Sequence, residues 1–363
     1  MSAWHRTPIA ILGTGSHLPE RVVDNEEVGR LAGVDADWIT AKTGIRERRR
    51  AAPHEATSDL AARAGRAALE QAGLTPADLS WILVATSTPD QPQPATAALV
   101  QHLLGAERAA AFDVNSVCSG FVFALTAAES LLRAAGGTGH ALVIGADVYS
   151  RILDHRDRKT AILFGDGAGA VVLGPSPHGG QGFLGSRHLT RGEAHHLIGV
   201  PAGGSRNPAS AATVASGAHH FRMDGRAVRS FVHEALPAAV ADVLDATGVH
   251  RDRVDHFVPH QANGVMIGEV WPALDLPEAT LHLDDLARYG NTGAASVGIA
   301  LDSAHRAGGL AEEDVVLLCA FGGGMSVGST VLSWAPTAHA RPPRLLTTAG
   351  AGGPGARGSG PAA

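Results

Sequence analysis

The run Asp113-Val114-Asn115-Ser116-Val117-Cys118-Ser119-Gly120-Phe121-Val122-Phe123-Ala124-Leu125 decides how the rest of this chain is read. The apolar residues before it, Ala109 to Val114, predict a buried strand. The Ala/Leu-rich residues after it, Phe121 to Ala135, have helical spacing and stop at Gly136-Gly137. Cys118 therefore falls on a strand-to-helix turn. Unpaired amides and the positive end of the helix dipole favour a thiolate there, so the thiol pKa is expected below its usual ~8.5. The competing reading is a buried cysteine acting as a small hydrophobe, and the surrounding sequence has to decide.

Working outward, 363 residues allow two domains or one large duplicated unit. Hydrophobic residues make up 45% and charged residues 18%, which fits a globular enzyme and not a disordered chain. A net charge of -6 gives no reason to expect nucleic acid or a membrane as partner. Cys118 and Cys319 are the only cysteines, so no disulfide framework is implied and a reducing cytoplasm is the expected setting. The N-terminus lacks signal-peptide features, and no uncharged apolar run reaches the ~18 residues of a membrane span. The histidines form no metal-binding motif, and His195-His196 and His219-His220 read as solvated loop residues.

Helices and apolar strands alternate along the chain. Strands are expected at Ile9 to Gly13, Asp78 to Thr86, Ala141 to Gly145, Val171 to Leu173, Asp255 to Pro259, Val315 to Ala320 and Ser329 to Trp334. Lys42 to Arg50 is a compact basic loop, either a solvated charge run or a docking site for an anionic partner. Gly165-Asp166-Gly167-Ala168-Gly169-Ala170 mimics a dinucleotide loop but leads into a strand instead of out of one, which rejects NAD binding there. Pro175 to Ala218 reads as loops and weak strands. Pro336 to Ala363 has almost nothing to bury and is expected to be disordered.

An internal repeat organises these elements. Ala64 to Val84 and Ala239 to Pro259 share a helix ending at Gly73 or Gly248, a short turn and a buried strand. The Gly136-Gly137 pair matches Gly308-Gly309, which sets Ser119 opposite Asn291. Cys118 and Asn291 are thus expected to open equivalent helices of two pseudo-symmetric halves, residues 1–175 and 176–335, in an α/β fold whose sheets carry helices on both faces.

Trp38-Ile39 with Thr43-Gly44-Ile45-Arg46-Glu47-Arg48, the Cys118 turn, Pro259-His260-Gln261-Ala262-Asn263, Gly290-Asn291-Thr292-Gly293-Ala294-Ala295-Ser296 and Phe321-Gly322-Gly323-Gly324 occur in that order. Together they resemble the ketoacyl synthase III family of the thiolase superfamily. The resemblance implies a five-layered αβαβα fold, a homodimer and two half-reactions. In the first, Cys118 takes the acyl group of an acyl-CoA primer while the amides of Cys118 and Gly324 hold the oxyanion. In the second, malonyl on an acyl carrier protein loses CO2, and His260 and Asn291 donate to the enolate, whose carbon attacks the acyl-Cys.

Substrate contacts are implied for Trp38, Lys42, Arg46, Gln93, Asn263 and Phe321, with no metal, flavin or nicotinamide. Cys319 sits one residue away from the place of a thiolase's second cysteine and reads as a buried strand residue. Three positions depart from the family. Gln93 replaces a bulky apolar residue closing the primer pocket across the dimer, Val265 an Arg that helps dock the carrier, and Lys42 an Arg that contacts CoA. They point to a dedicated, secondary-metabolic primer or carrier. Two alternatives stay open: acyl transfer from Cys118 to a hydroxyl or amine, and a silent partner subunit.

Overall fold

The computed structural model describes residues 8–177 and 179–335, so the tail expected to be disordered lies outside the described residues. The first half runs β1 (Ile9–His17), β2 (Arg21–Asp24), α1 (Asn25–Ala32), α2 (Ala36–Thr43), β3 (Glu47–Arg50), α3 (Thr57–Ala72), β4 (Leu79–Ala85), α4 (Thr96–Leu104), β5 (Ala110–Val114), α5 (Gly120–Ala134), β6 (His140–Asp147) and β7 (Gly167–Pro175). The second half runs β8 (Gly182–Thr190), β9 (Ile198–Gly199), α6 (Ala211–Ala215), β10 (Arg222–Met223), α7 (Gly225–Thr247), β11 (His256–Pro259), α8 (Gly264–Leu274), β12 (Thr280–Leu281), α9 (Asp285–Tyr289), α10 (Ser296–Arg306), β13 (Val315–Gly322) and β14 (Ser326–Ser333).

Each half builds a five-stranded mixed sheet of the same design. The orders are β1-β7-β6-β4-β5 and, read the same way, β8-β14-β13-β11-β12. In each sheet the third, fourth and fifth strands are parallel, and the first two join in antiparallel fashion. The nine-residue edge strand β8 corrects the expectation of loops and weak strands after Pro175. Its residues Leu184 and Leu189 are exposed, so apolar periodicity gave little sign of it.

The buried clusters reveal the layers. Helices α5 and α10 share one core with β1, β4, β6 and β7 on one side and β11, β13 and β14 on the other. Helices α3 and α4 cover the outer face of the first sheet, and α7 and α8 that of the second. The result is a five-layered αβαβα sandwich. Helix α5 with its preceding turn is long and apolar enough to pass for a membrane span, but it is this central core helix and carries the Arg133–Glu129 ion pair at 2.7 Å. Phe121, Leu125 and Leu132 on it are fully buried, and each such side chain contributes about 2 kcal/mol.

Glycines let the central helices approach the first sheet. A Cβ on Gly169 would stand 2.4 Å from the Ile299 nitrogen, so the run that mimics a dinucleotide loop is the surface of β7 against which α10 packs. The basic loop is also reassigned. β3 pairs with β2, and Arg48 is fully buried, donating to Asn25 Oδ1 and the Ile162 carbonyl, both at 2.7 Å.

Candidate active site

Cys118 lies in a one-turn 3-10 segment, Val117–Ser119, immediately before α5. Val117 has φ 48°, a left-handed conformation that strains a β-branched residue, as turns that project a reactive group often do. The turn is tied to the glycine corner between β13 and β14. Ser119 Oγ is 2.8 Å from Ser326 Oγ, which donates to the Gly323 carbonyl at 3.1 Å. A Cβ on Gly322 would stand 2.8 Å from the Cys118 nitrogen, so this corner, with Gly324 on it, seats directly against the Cys118 turn.

Burial, followed by the nearby Asp147 carboxylate, pushes the Cys118 thiol up to about 12. This corrects the expectation of a lowered pKa. In the free site, loss of solvation outweighs the helix start, and the opposing effects are hydrogen bonds from Tyr149 and the Cys118 amide.

His260 follows β11, is 1% exposed and donates its backbone N–H to the Cys319 carbonyl, 2.7 Å away. Its Nδ1 is 2.7 Å from Ser296 Oγ, which in turn accepts from the Gln261 amide at 3.4 Å. A Ser296 hydroxyl that donates to Nδ1 leaves the ring proton on Nε2. Burial holds the imidazole neutral, its pKa lowered to about 3. Phe321 packs edge-on against the ring, centroids 5.1 Å apart.

Asn291 is 4% exposed on the loop before α10. Its backbone is bracketed by the Leu163 carbonyl at 2.9 Å and the Gly165 amide at 3.0 Å. Its side-chain Oδ1 accepts from Gly293 N at 2.9 Å, which leaves the amide NH2 as the free donor. The three segments meet around one turn, Gly293–Ser296. Ser296 holds His260, Gly293 holds Asn291, and the Val117–Ser119 turn that carries Cys118 packs against the Gly293–Ala295 turn.

The repeat register needs correcting here. Cys118 lies inside its short turn, whereas Asn291 precedes the equivalent turn, Gly293–Ala295, by two residues. Ala294 is therefore the structural counterpart of Cys118.

A cavity of about 1070 Å³ is lined by Trp38, Lys42, Asn263 and Asn291. Asn263 also caps α8 through Met266 N at 3.0 Å and donates to the Lys42 carbonyl at 3.1 Å. Arg46 is exposed and does not line this cavity, and Gln93 is exposed on the loop before α4, also outside it. His195 and His196 are exposed as expected yet line its walls.

Sequence reading missed Arg158, Lys159, Arg222, Arg226 and Arg229, which make the cavity lining strongly basic. They come from three separate segments and carry no shared motif. Ser296 was within a quoted motif, but nothing in its spacing showed that it faces His260. Cys319 is fully buried in β13, and burial pushes its thiol up to about 12.

Comparison with known proteins places this geometry. Residues 112–192 match the family model for 3-oxoacyl-[acyl-carrier-protein (ACP)] synthase III, and residues 244–334 match the model for its C-terminal part. The chain is 56% identical over 325 residues to a Streptomyces protein named acetoacetyl CoA synthase NphT7, covering 89% of this chain and 98% of that one. It is 44% identical to the β-ketoacyl-[acyl-carrier-protein] synthase III of Caldanaerobacter subterraneus, covering 89% and 97%. The structure superposes on the Pseudomonas aeruginosa 3-oxoacyl-(acyl carrier protein) synthase III with a TM-score of 0.82 at 37% identity, covering 91% and 99%. A priming β-ketosynthase of a polyketide pathway superposes with a TM-score of 0.83 at 32% identity, covering 92% and 98%.

Proposed function

This chain belongs to the ketoacyl synthase III family of the thiolase superfamily, and from that membership we propose how its own residues divide the work of the family's decarboxylative condensation. The enzyme is an acyltransferase that joins an acyl primer to a malonyl thioester. An acyl-CoA enters the basic cavity, where Trp38 and Lys42 meet the nucleotide end. Cys118 attacks the thioester carbonyl, the Cys118 and Gly324 amides hold the oxyanion, and CoA leaves as the thiol. The steps as written use no metal or redox cofactor.

Malonyl on an acyl carrier protein then occupies the same cavity. As CO2 departs, negative charge moves to the thioester oxygen, where His260 Nε2–H and the Asn291 amide donate. Each such donor in a dry site contributes about 3 kcal/mol to the transition state. The enolate carbon attacks acyl-Cys118, giving the β-ketoacyl thioester and the free thiol. The observation that carries this reading is the convergence of His260 and Asn291 on the Gly293–Ser296 turn, against which the Cys118 turn packs. A homodimer fits the chain, with the half-exposed edge strand β5 and the Gln93 loop as the joining face.

A second reading of the malonyl carrier has its own support. The 56%-identical relative is named for a CoA product. Val265 is 40% exposed on α8, and Glu269 of the same helix neutralises Arg229 at 2.5 Å. An acidic carrier protein gains little from such a surface, whereas the remaining cavity cations suit the phosphates of CoA.

Intact-mass analysis with acyl-CoAs should show one acyl group on Cys118, and labelled malonyl thioester should release CO2 only with primer present. An acylated enzyme that releases no CO2, and instead passes the acyl group to a hydroxyl or amine, defeats condensation. Running malonyl-CoA beside malonyl carrier separates the two carriers. A Val265→Arg/Glu269→Lys variant should improve carrier use several-fold if CoA is the native carrier.

A further inference from the structure

Two buried hydroxyls beside Cys118 take no part in the reaction as described. Ser119 closes the Cys118 turn and is fully buried, and Ser326 opens β14 and is 1% exposed. They belong to opposite halves of the chain, yet their oxygens are 2.8 Å apart. Ser119 Oγ lies 2.8 Å from the Ser116 carbonyl as well, so it stays over its own turn. Ser116 Oγ donates to Ser326 Oγ at 3.2 Å, and Ser326 Oγ donates to the Gly323 carbonyl at 3.1 Å. A hydroxyl has one proton and two acceptor sites. Ser326 therefore accepts from Ser116 and Ser119 and gives its own proton to Gly323, an order that satisfies all three contacts.

What the last of these bonds fixes is a peptide plane. The Gly323 carbonyl and the Gly324 N–H belong to one planar trans unit, so they point in opposite directions. A peptide flanked by two glycines has no side chain to restrain it, and Gly324 stands at φ 133°, a region that favours glycine. Packing limits the corner on one side, since a Cβ on Gly323 would stand 3.1 Å from both Val117 Cγ2 and Ile198 Cγ2. The direction of the Gly324 N–H then follows from what holds the Gly323 oxygen, which is the Ser326 hydroxyl. A hydrogen bond to that oxygen also polarises the amide and strengthens its N–H as a donor.

We propose that Ser326, supported by Ser119, is a positioning residue of the acylation step: it holds the Gly323–Gly324 peptide so that the Gly324 N–H faces the thioester oxygen next to Cys118. The proposal rests on the condensing-enzyme reading and deepens it. In the step, the Cys118 S–H bond breaks, the Sγ–acyl bond forms and the acyl–S bond to CoA breaks, and the thiol proton ends on the CoA sulfur. Between bond making and bond breaking, negative charge sits on the acyl oxygen. A preset amide meets that charge without reorganising, which a freely turning peptide cannot do. The close seat of Gly322 on the Cys118 nitrogen keeps the second amide nearby. Ser326 touches no reacting atom and acts only through Gly324.

The test compares two reactions of the same thiol. Iodoacetamide alkylation displaces iodide at a tetrahedral carbon and builds no oxyanion, whereas transfer from acyl-CoA does. Ser326→Ala should slow acylation at saturating acyl-CoA about tenfold, with the half-saturating concentration and the alkylation rate unchanged, because the lost help appears only in the transition state. Ser119→Ala leaves Ser116 on Ser326 and should slow acylation by less, about threefold. The double variant should be no slower than Ser326→Ala, since Ser119 acts through Ser326. Equal loss of acylation and alkylation in Ser326→Ala, or no loss of acylation, overturns the proposal. If that variant fails to fold, an unchanged acylation rate in Ser119→Ala does so. Wild-type enzyme that alkylates normally but never takes an acyl group from acyl-CoA would instead defeat the functional reading.

Discussion

The two halves carry the same turn before the same central helix, yet one turn presents a thiol and the other presents hydrogen-bond donors. In the first half, Val117–Ser119 puts a sulfur into a buried spot with a non-glycine residue at φ 48°. In the second half, Gly293 takes the left-handed position at φ 60°, and the side chains around it, Asn291 and Ser296, organise neutral hydrogen-bond donors. A shared backbone therefore sets position, while the residues at each turn set whether charge is generated or received. The division suits the two half-reactions proposed above.

The sharpest way to break this comparison is to remove the sulfur. Cys118→Ala should abolish acylation by at least about a thousandfold, read as intact mass after incubation with acyl-CoA, because no other group forms the covalent intermediate. Residual acylation at Cys319 would undo the assignment.

The second-half donors should fail differently. His260→Ala and Asn291→Ala should each lower CO2 release about a hundredfold while Cys118 still becomes acylated. Equal loss of both half-reactions in either variant would contradict the division of labour.

A third effect concerns stability. The folded-state pKa of His260 is lowered from 6.5 to about 3, so the unfolded chain binds the extra proton between those values. The stability it contributes is complete above about pH 6.5 and is lost as pH falls toward about 3, reaching about 2 kcal/mol by pH 5. Thermal melts should show wild type losing more stability than His260→Ala between pH 7 and pH 5, and parallel losses would refute it.

The smallest expected change is in Ser296→Ala. The imidazole keeps its pocket but loses its tautomer control, so CO2 release should fall about tenfold with acylation unaffected.

Much of the site was legible because its members sit in short, ordered motifs: the Cys118 turn, the His260 string and the Asn291 loop all occur where the family resemblance put them. The double sheet was legible for a similar reason, since a helix ending at Gly73 or Gly248 before a buried strand repeats in both halves. Less legible was the exposed edge strand β8, whose pattern lacks a buried alternation. The basic cavity wall was also hidden, because Arg158, Lys159 and Arg222 come from distant segments with no spacing in common. The predicted drop in the Cys118 pKa failed because a helix start is a local feature, whereas desolvation depends on everything packed around the thiol.

By itself, the sequence determined the alternation of helices and strands, the duplicated plan and the short motifs that carry Cys118, His260 and Asn291, since these follow from local periodicity and local sequence. Tertiary structure alone decided that Ala294, not Asn291, stands opposite Cys118. It also decided that Ser296 meets His260. Those relations join residues far apart in the chain, and they arise only when two helices pack between two sheets and close out water.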